Sequence, residues 1–331
     1  MPITGGANAT VQAFFTAFEV RFQELYGTTP VFWPEFATMI PSATEQQSYA
    51  WIGKTKKMRL WLGSRVTTEP APLTYTLVNQ PYEDTESLDK FRWADDIHGI
   101  YAPIQQRMAA QAAKWPDHQF RDLLQNRGAQ TGAAQIGTDG LTHFHTAHPV
   151  NLYDASFGTY CNDFTGGVSV GGIIVGGALT PQGYTTLRQE MMQRKGEDGE
   201  PLGIIPNLLV VPPQLEGAAK MILEAEFFAP QTYANTGLGT NVGAMQNTYR
   251  NSAKMIVVPE LGLNDATGWY LFDTTKAVKP LIFQQREAPS FVYRVSEQDP
   301  MVFDQHRYVY GVEARGAFGW SLPFLSSKSA P

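Results

Sequence analysis

The chain has 331 residues, room for one large or two ordinary domains around a sizeable core. Hydrophobic residues make up 43%, which excludes a disordered chain, and charged residues only 17%, short of the roughly 25% of ordinary soluble domains. A net charge of -6 excludes a protein that grips polyanions over its whole surface, and aromatics at 12% with so little charge suit a surface that meets other proteins.

In chain order, residues 9–25 predict an amphipathic helix: Phe14, Phe18, Phe22 and Leu25 recur at intervals of three and four, and Gly27 stops it. Residues 28–47 are apolar but follow neither period, with Pro30, Pro34 and Pro41 set among Phe32, Trp33, Phe36 and Ile40. They read as an extended arm lying on another surface. Residues 57–92 predict a long β-hairpin, with 59–68 going out, Pro70 and Pro72 at the tip, and 75–91 returning. Strands of about ten residues rise ~33 Å, so the tip projects beyond its own domain. The outgoing side carries Lys54, Lys56, Lys57, Arg59 and Arg65, and the return carries Glu83, Asp84, Glu86 and Asp89. Charge pairing between the two, within or between subunits, is the expectation, ahead of a nucleic-acid patch around Trp51 and Trp61. So polar a hairpin builds no core of its own and needs a partner.

A long helix is expected over 103–127, with Ile104, Met108, Trp115, Phe120, Leu123 and Leu124 on its buried stripe and a kink or division at Pro116. The Gly-rich stretch 128–179 reads as loop. Thr180 and Pro181 then form an N-cap and first-turn pair for a helix to about Arg194. A turn follows at 195–200, a buried strand at 207–211, a helix at 214–227 and a polar loop at 229–252. Further strands are expected at 253–258, 268–273, 279–285, 291–296 and 306–315. No internal repeat or linker divides the chain.

Few motifs carry chemistry. The run Gly167, Val168, Ser169, Val170, Gly171 matches the nucleophile-elbow spacing, but that chemistry needs a strand before the serine and a helix after it, and glycine and β-branched residues follow. Only His306 lies downstream as a base. Gly53, Lys54 and Thr55 resemble the end of a phosphate-binding loop, yet Ser48 stands where a glycine is needed. Gly237, Gly239 and Gly243 miss the dinucleotide spacing. His143, His145 and His148 could approach a zinc site, against the plainer reading that loop histidines satisfy backbone groups near Asp139, Gly140 and Pro149. The expectation is no catalytic residue, no cofactor and no metal. A single cysteine, Cys161, gives no intramolecular disulfide framework and suits a reducing cytosol. Residues 1–8 show no secretory signal, and the apolar stretch Ile173–Val175 is too short to span a bilayer, so no membrane partner is expected.

Several blocks over nearly the whole length resemble the major head subunits of the Mu-like phage family. They are Trp51, Ile52, Gly53 with Met58, Arg59, Trp61, Gly63 and Arg65; Tyr75, Asn79, Tyr82, Glu83 and Thr85; Asp95, Asp96, Ile97 with Gly99 to Pro103; Asp139, Gly140 with His148, Pro149, Val150; Leu208 to Pro213; Lys279 to Ile282 with Gln285, Arg286; and Val302, Phe303 with Tyr310, Gly311, Val312 and Ala314 to Gly316. His143 and His145 depart from the family's pattern. The resemblance implies an α+β fold of the Hong Kong 97 type, divided into an N-terminal arm (1–50), an extended hairpin loop (51–93), a peripheral domain with a spine helix (94–200), an axial domain (201–276) and return strands to the peripheral domain (277–331). It implies a major capsid protein that assembles with itself in the host bacterial cytoplasm into pentamers and hexamers of an icosahedral head. Scaffolding protein, portal and a decoration or cement protein are the implied partners, and the virion encloses double-stranded DNA without reading its sequence. Inter-subunit contacts are expected at Trp51, Arg59, Trp61, Arg65, Pro70, Pro72, Glu83 and Glu86. The alternatives are an encapsulin-type compartment shell, which shares the fold, and a metal- or serine-dependent hydrolase.

Overall fold

The computed structural model describes residues 6–52, 72–96, 103–125, 139–152, 154–196, 199–228, 245–263 and 265–331. The chain opens with α1 (Gly6–Thr28), whose Val11, Phe15, Phe18 and Phe22 are buried while Phe14 and Leu25 flank them half-buried. The apolar stripe is therefore centred beside the one expected. Next come α2 (Trp33–Phe36) and β1 (Ala37–Pro41), then β2 (Gln46–Ile52), β3 (Pro72–Val78), β4 (Gln80–Asp89) and α3 (Lys90–Ala94). Helix α4 (Ile104–Leu124) runs unbroken through Pro116, so the expected division does not occur.

Two short ladders follow: β5 (His148–Pro149) with β6 (Thr159–Tyr160), and β7 (Val168–Val170) with β8 (Ile173–Val175). Helix α5 (Pro181–Gln193) starts as predicted, the Thr180 hydroxyl accepting the Gly183 amide at 3.0 Å. The remainder is β9 (Leu208–Val211), α6 (Glu216–Leu223), β10 (Phe227–Phe228), β11 (Met245–Gln246), β12 (Lys254–Val257), β13 (Trp269–Phe272), β14 (Leu281–Arg294), α7 (Pro300–Gln305), β15 (Arg307–Trp320) and β16 (Ser326–Ser329). The two strands expected at 279–285 and 291–296 are one: β14 shifts register between Gln285 and Ser290, a bulge that accommodates Pro289, which has no amide to give the ladder.

Two four-stranded sheets organise these elements. The first has the order β1-β14-β15-β4, with α1 and α4 packed on it. The second has the order β12-β9-β13-β16. All four residues of β9 and all four of β13 are buried. Alternate side chains point to opposite faces. Leu208, Val210, Tyr270 and Phe272 join the core shared with the first sheet and α4, while Leu209, Val211, Trp269 and Leu271 fill a second core under α5 and α6. Among the described residues no helix is long and apolar enough to cross a membrane.

The stretch 28–47 is not an arm on a foreign surface over its described length. Strand β1 pairs parallel to β14, Ala37 opposite Leu281 through Pro41 opposite Gln285, and Phe36 and Ala37 lie in the core. Its pattern fits no single period because a one-turn helix and an edge strand divide it. Asp117 of α4 pins its start, its carboxylate accepting the amides of Phe32 (3.0 Å) and Trp33 (2.7 Å) where α2 has no cap of its own.

The close approach of β3 to β15 depends on Gly319. A Cβ there would lie 2.7 Å from Leu77 Cδ2 and closer still to Tyr75 Oη. Gly319→Val is expected to lower stability by about 1–3 kcal/mol in urea denaturation; a neutral result would show that β3 does not lie against β15.

Candidate inter-subunit site

The root of the hairpin is a two-stranded sheet of its own that packs on the first sheet. Strands β2 and β3 pair antiparallel from Gln46 opposite Val78 to Ile52 opposite Pro72. Tyr49, Tyr75 and Leu77 are buried in the core. A chain of buried polar groups holds the root to β14: Tyr49 Oη donates to Gln284 Oε1 (2.8 Å), Gln284 Nε2 donates to Asn79 Oδ1 (2.7 Å), and Asn79 Nδ2 donates to Ser42 Oγ (3.0 Å) and the Thr44 carbonyl (2.8 Å). Arg286 adds a bond to the Ser42 carbonyl at 3.1 Å. Burial pushes the Tyr49 hydroxyl up to about 12, and the Tyr75 hydroxyl is raised by the same cause. A buried network is rigid when its members find partners, and this one fixes the direction in which the hairpin leaves the sheet.

Of the eight expected contact residues, Trp51 and Pro72 stand at the outer end of this root, opposite Leu73 and Ile52 respectively. Arg59, Trp61, Arg65 and Pro70 lie outside the described residues, as do Lys54, Lys56, Lys57 and the glycine motifs at 53 and 237–243. Glu83 and Glu86 correct the expected hairpin. The return strand ends at Val78, the chain turns at Asn79, and Gln80–Asp89 is a separate strand paired antiparallel with β15. The described partners of its carboxylates lie within the chain. Glu86 binds Arg107 of α4 and accepts from Tyr310 Oη at 3.2 Å. Glu83 accepts the Thr85 hydroxyl, and Asp89 caps α3. The sheet claims this acidic run because its β15 partners match it over ten residues, Gln80 to Asp89. The polar root network joins partners 205 and 235 residues apart, beyond any local pattern; the signal that could have found it is Gln284, a polar residue directly after the apolar run Leu281, Ile282, Phe283.

The histidines do structural work. Both nitrogens of the buried His148 are engaged, Nδ1 with Asp139 Oδ2 at 2.5 Å and Nε2 with the His143 carbonyl at 3.0 Å. Burial alone would raise the Asp139 carboxyl, but the bond and charge of His148 outweigh it and hold it below the usual carboxylate range. His143 is buried, stacks on Trp320 with ring centroids 3.8 Å apart, and meets Ser326 Oγ at 2.6 Å. Burial, then the neighbouring His148 and Arg194, push its imidazole well down, so the ring is neutral. His145 Nδ1 accepts the Ala147 amide at 3.0 Å. No group of three metal-ligating side chains exists among the described residues. Ser169 sits on an antiparallel hairpin, not on a strand-to-helix turn, and His306 ends α7 at the other sheet. Burial pushes the Cys161 thiol up to about 11, away from reactive thiolate.

The sequence model of one family, Mu-like prophage major head subunit gpT, matches residues 11–171, 173–261 and 257–330. The major capsid protein of Escherichia phage Mu is 22% identical over 314 residues, 95% of this chain and 71% of the relative. Among solved structures, the procapsid of bacteriophage JBD30 superposes with a TM-score of 0.56 at 24% identity, covering 98% of this chain and 75% of that one. The JBD30 capsid decorated with minor capsid protein trimers gives 0.52 at 21% identity, covering 71% and 92%. The fold is thus of the Hong Kong 97 type.

Two measurements test the geometry. Burial pushes the Asp117 carboxyl up to about 6 against the pull of the Phe32 and Trp33 amides, with Glu260 nearby adding to the rise. An acid raised on folding binds its proton more tightly in the folded state, so this group adds stability as pH falls from about 6 towards 4 and costs stability above 6. Asp117→Asn, which keeps an acceptor, should gain relative to the parent by about 2–3 kcal/mol at pH 8, and the gain should shrink by pH 5. A pH-independent difference in urea titrations would contradict this. His143→Ala should cost about 2–4 kcal/mol by opening a cavity beside Trp320, with chelator leaving the melting temperature of the parent unchanged; a chelator-induced drop would mean the cluster holds metal.

Proposed function

Because the chain belongs to the Mu-like prophage major head subunit family, we infer that it is the major capsid protein of a tailed phage, copies of which form the rings of five and six of an icosahedral head. The observation that carries this is a family match running from residue 11 to residue 330, on a fold shared with phage shell subunits. It separates this reading from a compartment that encloses protein cargo. Identical subunits meeting through two different surfaces close into rings when the rotation allows, which is the geometry a shell needs. With a net charge of -6 the subunit holds double-stranded DNA by enclosure and not by a uniform basic surface. The family is one of structural subunits, which supports a non-catalytic chain.

Finer assignments follow from the same reading. The first sheet with α4 as spine corresponds to the peripheral part, and the second sheet with α5 and α6 to the axial part. Strand β4 and helix α5 then fall across the sequence-based limits at 93 and 200, since β4 pairs in the first sheet and α5 packs in the core of the second. Residues 53–71, with Trp51 and Pro72 at their base, reach a neighbouring copy. There Arg59, Trp61, Arg65 and Pro70 make the contact, and the acidic run of the neighbour's β4, an end strand of the first sheet among the described residues, with Glu83 and with Glu86 beside its own Arg107, is the expected partner of the basic run. A scaffolding protein and a portal are the partners in assembly. A minor capsid protein of the kind that decorates the JBD30 capsid is a further one.

Coexpressed with a scaffolding protein, the chain should sediment as closed particles visible by electron microscopy; a chain that stays monomeric contradicts the reading. Replacing residues 53–71 by a short Gly-Ser turn should leave a soluble subunit with the parent's cooperative melting, because the root bonds among Tyr49, Gln284 and Asn79 are untouched, but no shells. Normal particles from that variant would show that the hairpin makes no inter-subunit contact.

A further inference from the structure

The two faces of the first sheet are covered by different elements. Strand β15 runs unbroken beside β4 from Arg307 to Gly316, so its even-numbered side chains share one face. A Cβ on Gly316 would meet Trp115 Cη2 of α4 at 3.2 Å, so α4 covers that face. A Cβ on Gly319 would instead meet Leu77 Cδ2 of β3 at 2.7 Å, which puts the hairpin root on the opposite face. The bond from Tyr49 to Gln284 agrees, since Gln284 stands opposite Ala317, another odd-numbered residue.

On the α4 face the packing leaves a cleft of about 200 Å³. Val312 and Ala314 form its floor, Trp115 stands on the α4 side, and Tyr82, Glu83 and Asp84 form the β4 side. Tyr82 and Trp115 brace each other with ring centroids 4.9 Å apart, and Tyr82 Oη donates to Gln119 Oε1 at 3.3 Å. The lining is chiefly apolar and aromatic, and the two charged residues in it are both acidic. Glu86, two residues along β4, is already bound by Arg107, whereas Asp84 has no ion-pair partner among the described residues. An apolar cavity of about 150 Å³ takes up one benzene ring, so this cleft has room for one aromatic side chain.

The occupant that fits is aromatic and set among cations. Segment 53–71, outside the described residues, carries Lys54, Lys56, Lys57, Arg59 and Arg65 against Glu69, with Trp61 near its midpoint. No other segment outside the described residues has more than one basic side chain. Its ends are held at the root, where Ile52 pairs with Pro72, and doubled back it reaches about 30 Å at 3.3 Å per residue. Trp61 falls at the far end of that reach. Trp and Arg are also the residue types that most often anchor protein interfaces. To enter its own cleft the segment would have to wrap around a sheet edge, because its root is on the other face. To enter a neighbour's it need only extend.

We propose that Trp61 of one copy seats in the cleft formed by Trp115, Val312 and Ala314 of the next, with Arg59 and Arg65 beside Glu83 and Asp84. The proposal rests on the chain being a shell subunit with an inter-subunit hairpin, and it names the seat. The parent chain, coexpressed with scaffolding protein, reports on the shell reading; if it forms no particles, that reading and this one fall together. With parent particles in hand, Trp61→Ala should reduce particle yield roughly tenfold or more, and Trp61→Phe, which keeps a ring, should retain most of it. Ala314→Phe, which fills the cleft from its floor, should reduce the yield similarly while melting within about 2 °C of the parent. Should that variant fail to fold, Asp84→Lys, at an exposed position, reverses the charge at the mouth and should lower the yield in its place. A photo-crosslinking residue at position 62, in the full chain within assembled particles, should link to 82–84, 108–115 or 312–314 of another copy. Parent-level yield from Trp61→Ala or from a folded cleft variant would overturn the seat and leave the shell reading standing. So would crosslinks only within one chain, to another part of the neighbour or to a different protein.

Discussion

Everything else in the molecule depends on two strands that are buried on both faces. Strands β9 and β13 send alternate side chains into two cores, Leu208, Val210, Tyr270 and Phe272 to one and Leu209, Val211, Trp269 and Leu271 to the other. Neither core is complete without them. At about 25 cal/mol per Å² of apolar surface, side chains of this size contribute about 1.5–3 kcal/mol each when fully buried, and no hinge can open between the cores without exposing several together. Tyr270 reinforces the joint by donating from its hydroxyl to the Leu124 carbonyl at 2.9 Å, where α4 ends and its last carbonyls lack helical partners. A shell subunit needs this stiffness, because contacts made at one end must fix the angle at which the other end meets its neighbours.

Where the packing runs out of apolar surface, buried polar staples take over. Arg194 is buried at the end of α5 and donates to the carbonyls of Phe324, Ser326 and Cys161, to Ser327 Oγ and to the Glu190 carboxylate. It thereby ties the C-terminal strand β16 to the Gly-rich region, beside the pair formed by His148 and Asp139. The hairpin root is held in the same manner through Gln284 and Asn79. Removing one partner of such a group leaves the rest desolvated and unpaired, so these staples specify one arrangement more than they add to stability.

Much of this was legible in the sequence. Helices α1, α4 and α5 and strands β9, β12 and β13 announce themselves by period, cap or apolar run, and the family blocks point to the shell fold. The failures share a cause: they are decided by residues far away in the chain. Phe32 to Pro41 reads as a stray arm until Asp117 and β14 are in place to receive it. Gln80–Asp89 reads as a hairpin's return until β15 claims it. Strand β16, Ser326–Ser329, has no apolar signal at all, yet three of its serines are buried because β13 and Asn162 satisfy its backbone. The strands expected at 279–285 and 291–296 are one, because the register shifts between Gln285 and Ser290 absorb Pro289. Of the expected contact residues, Trp51 and Pro72 fall at the hairpin root, while the grouping of Glu83 and Glu86 with the hairpin strands failed for the same non-local reason.

The account holds that this chain enters a closed shell as one stiff unit, with its hairpin carried outward from a fixed root. A cryo-electron microscopy map of the assembled particle tests that most directly. It should show rings of five and six in which the two sheets keep the relation fixed by β9 and β13, and density from the β2–β3 root running onto an adjacent copy. Particles in which that density folds back on its own subunit, or in which the sheets separate between copies, would contradict it.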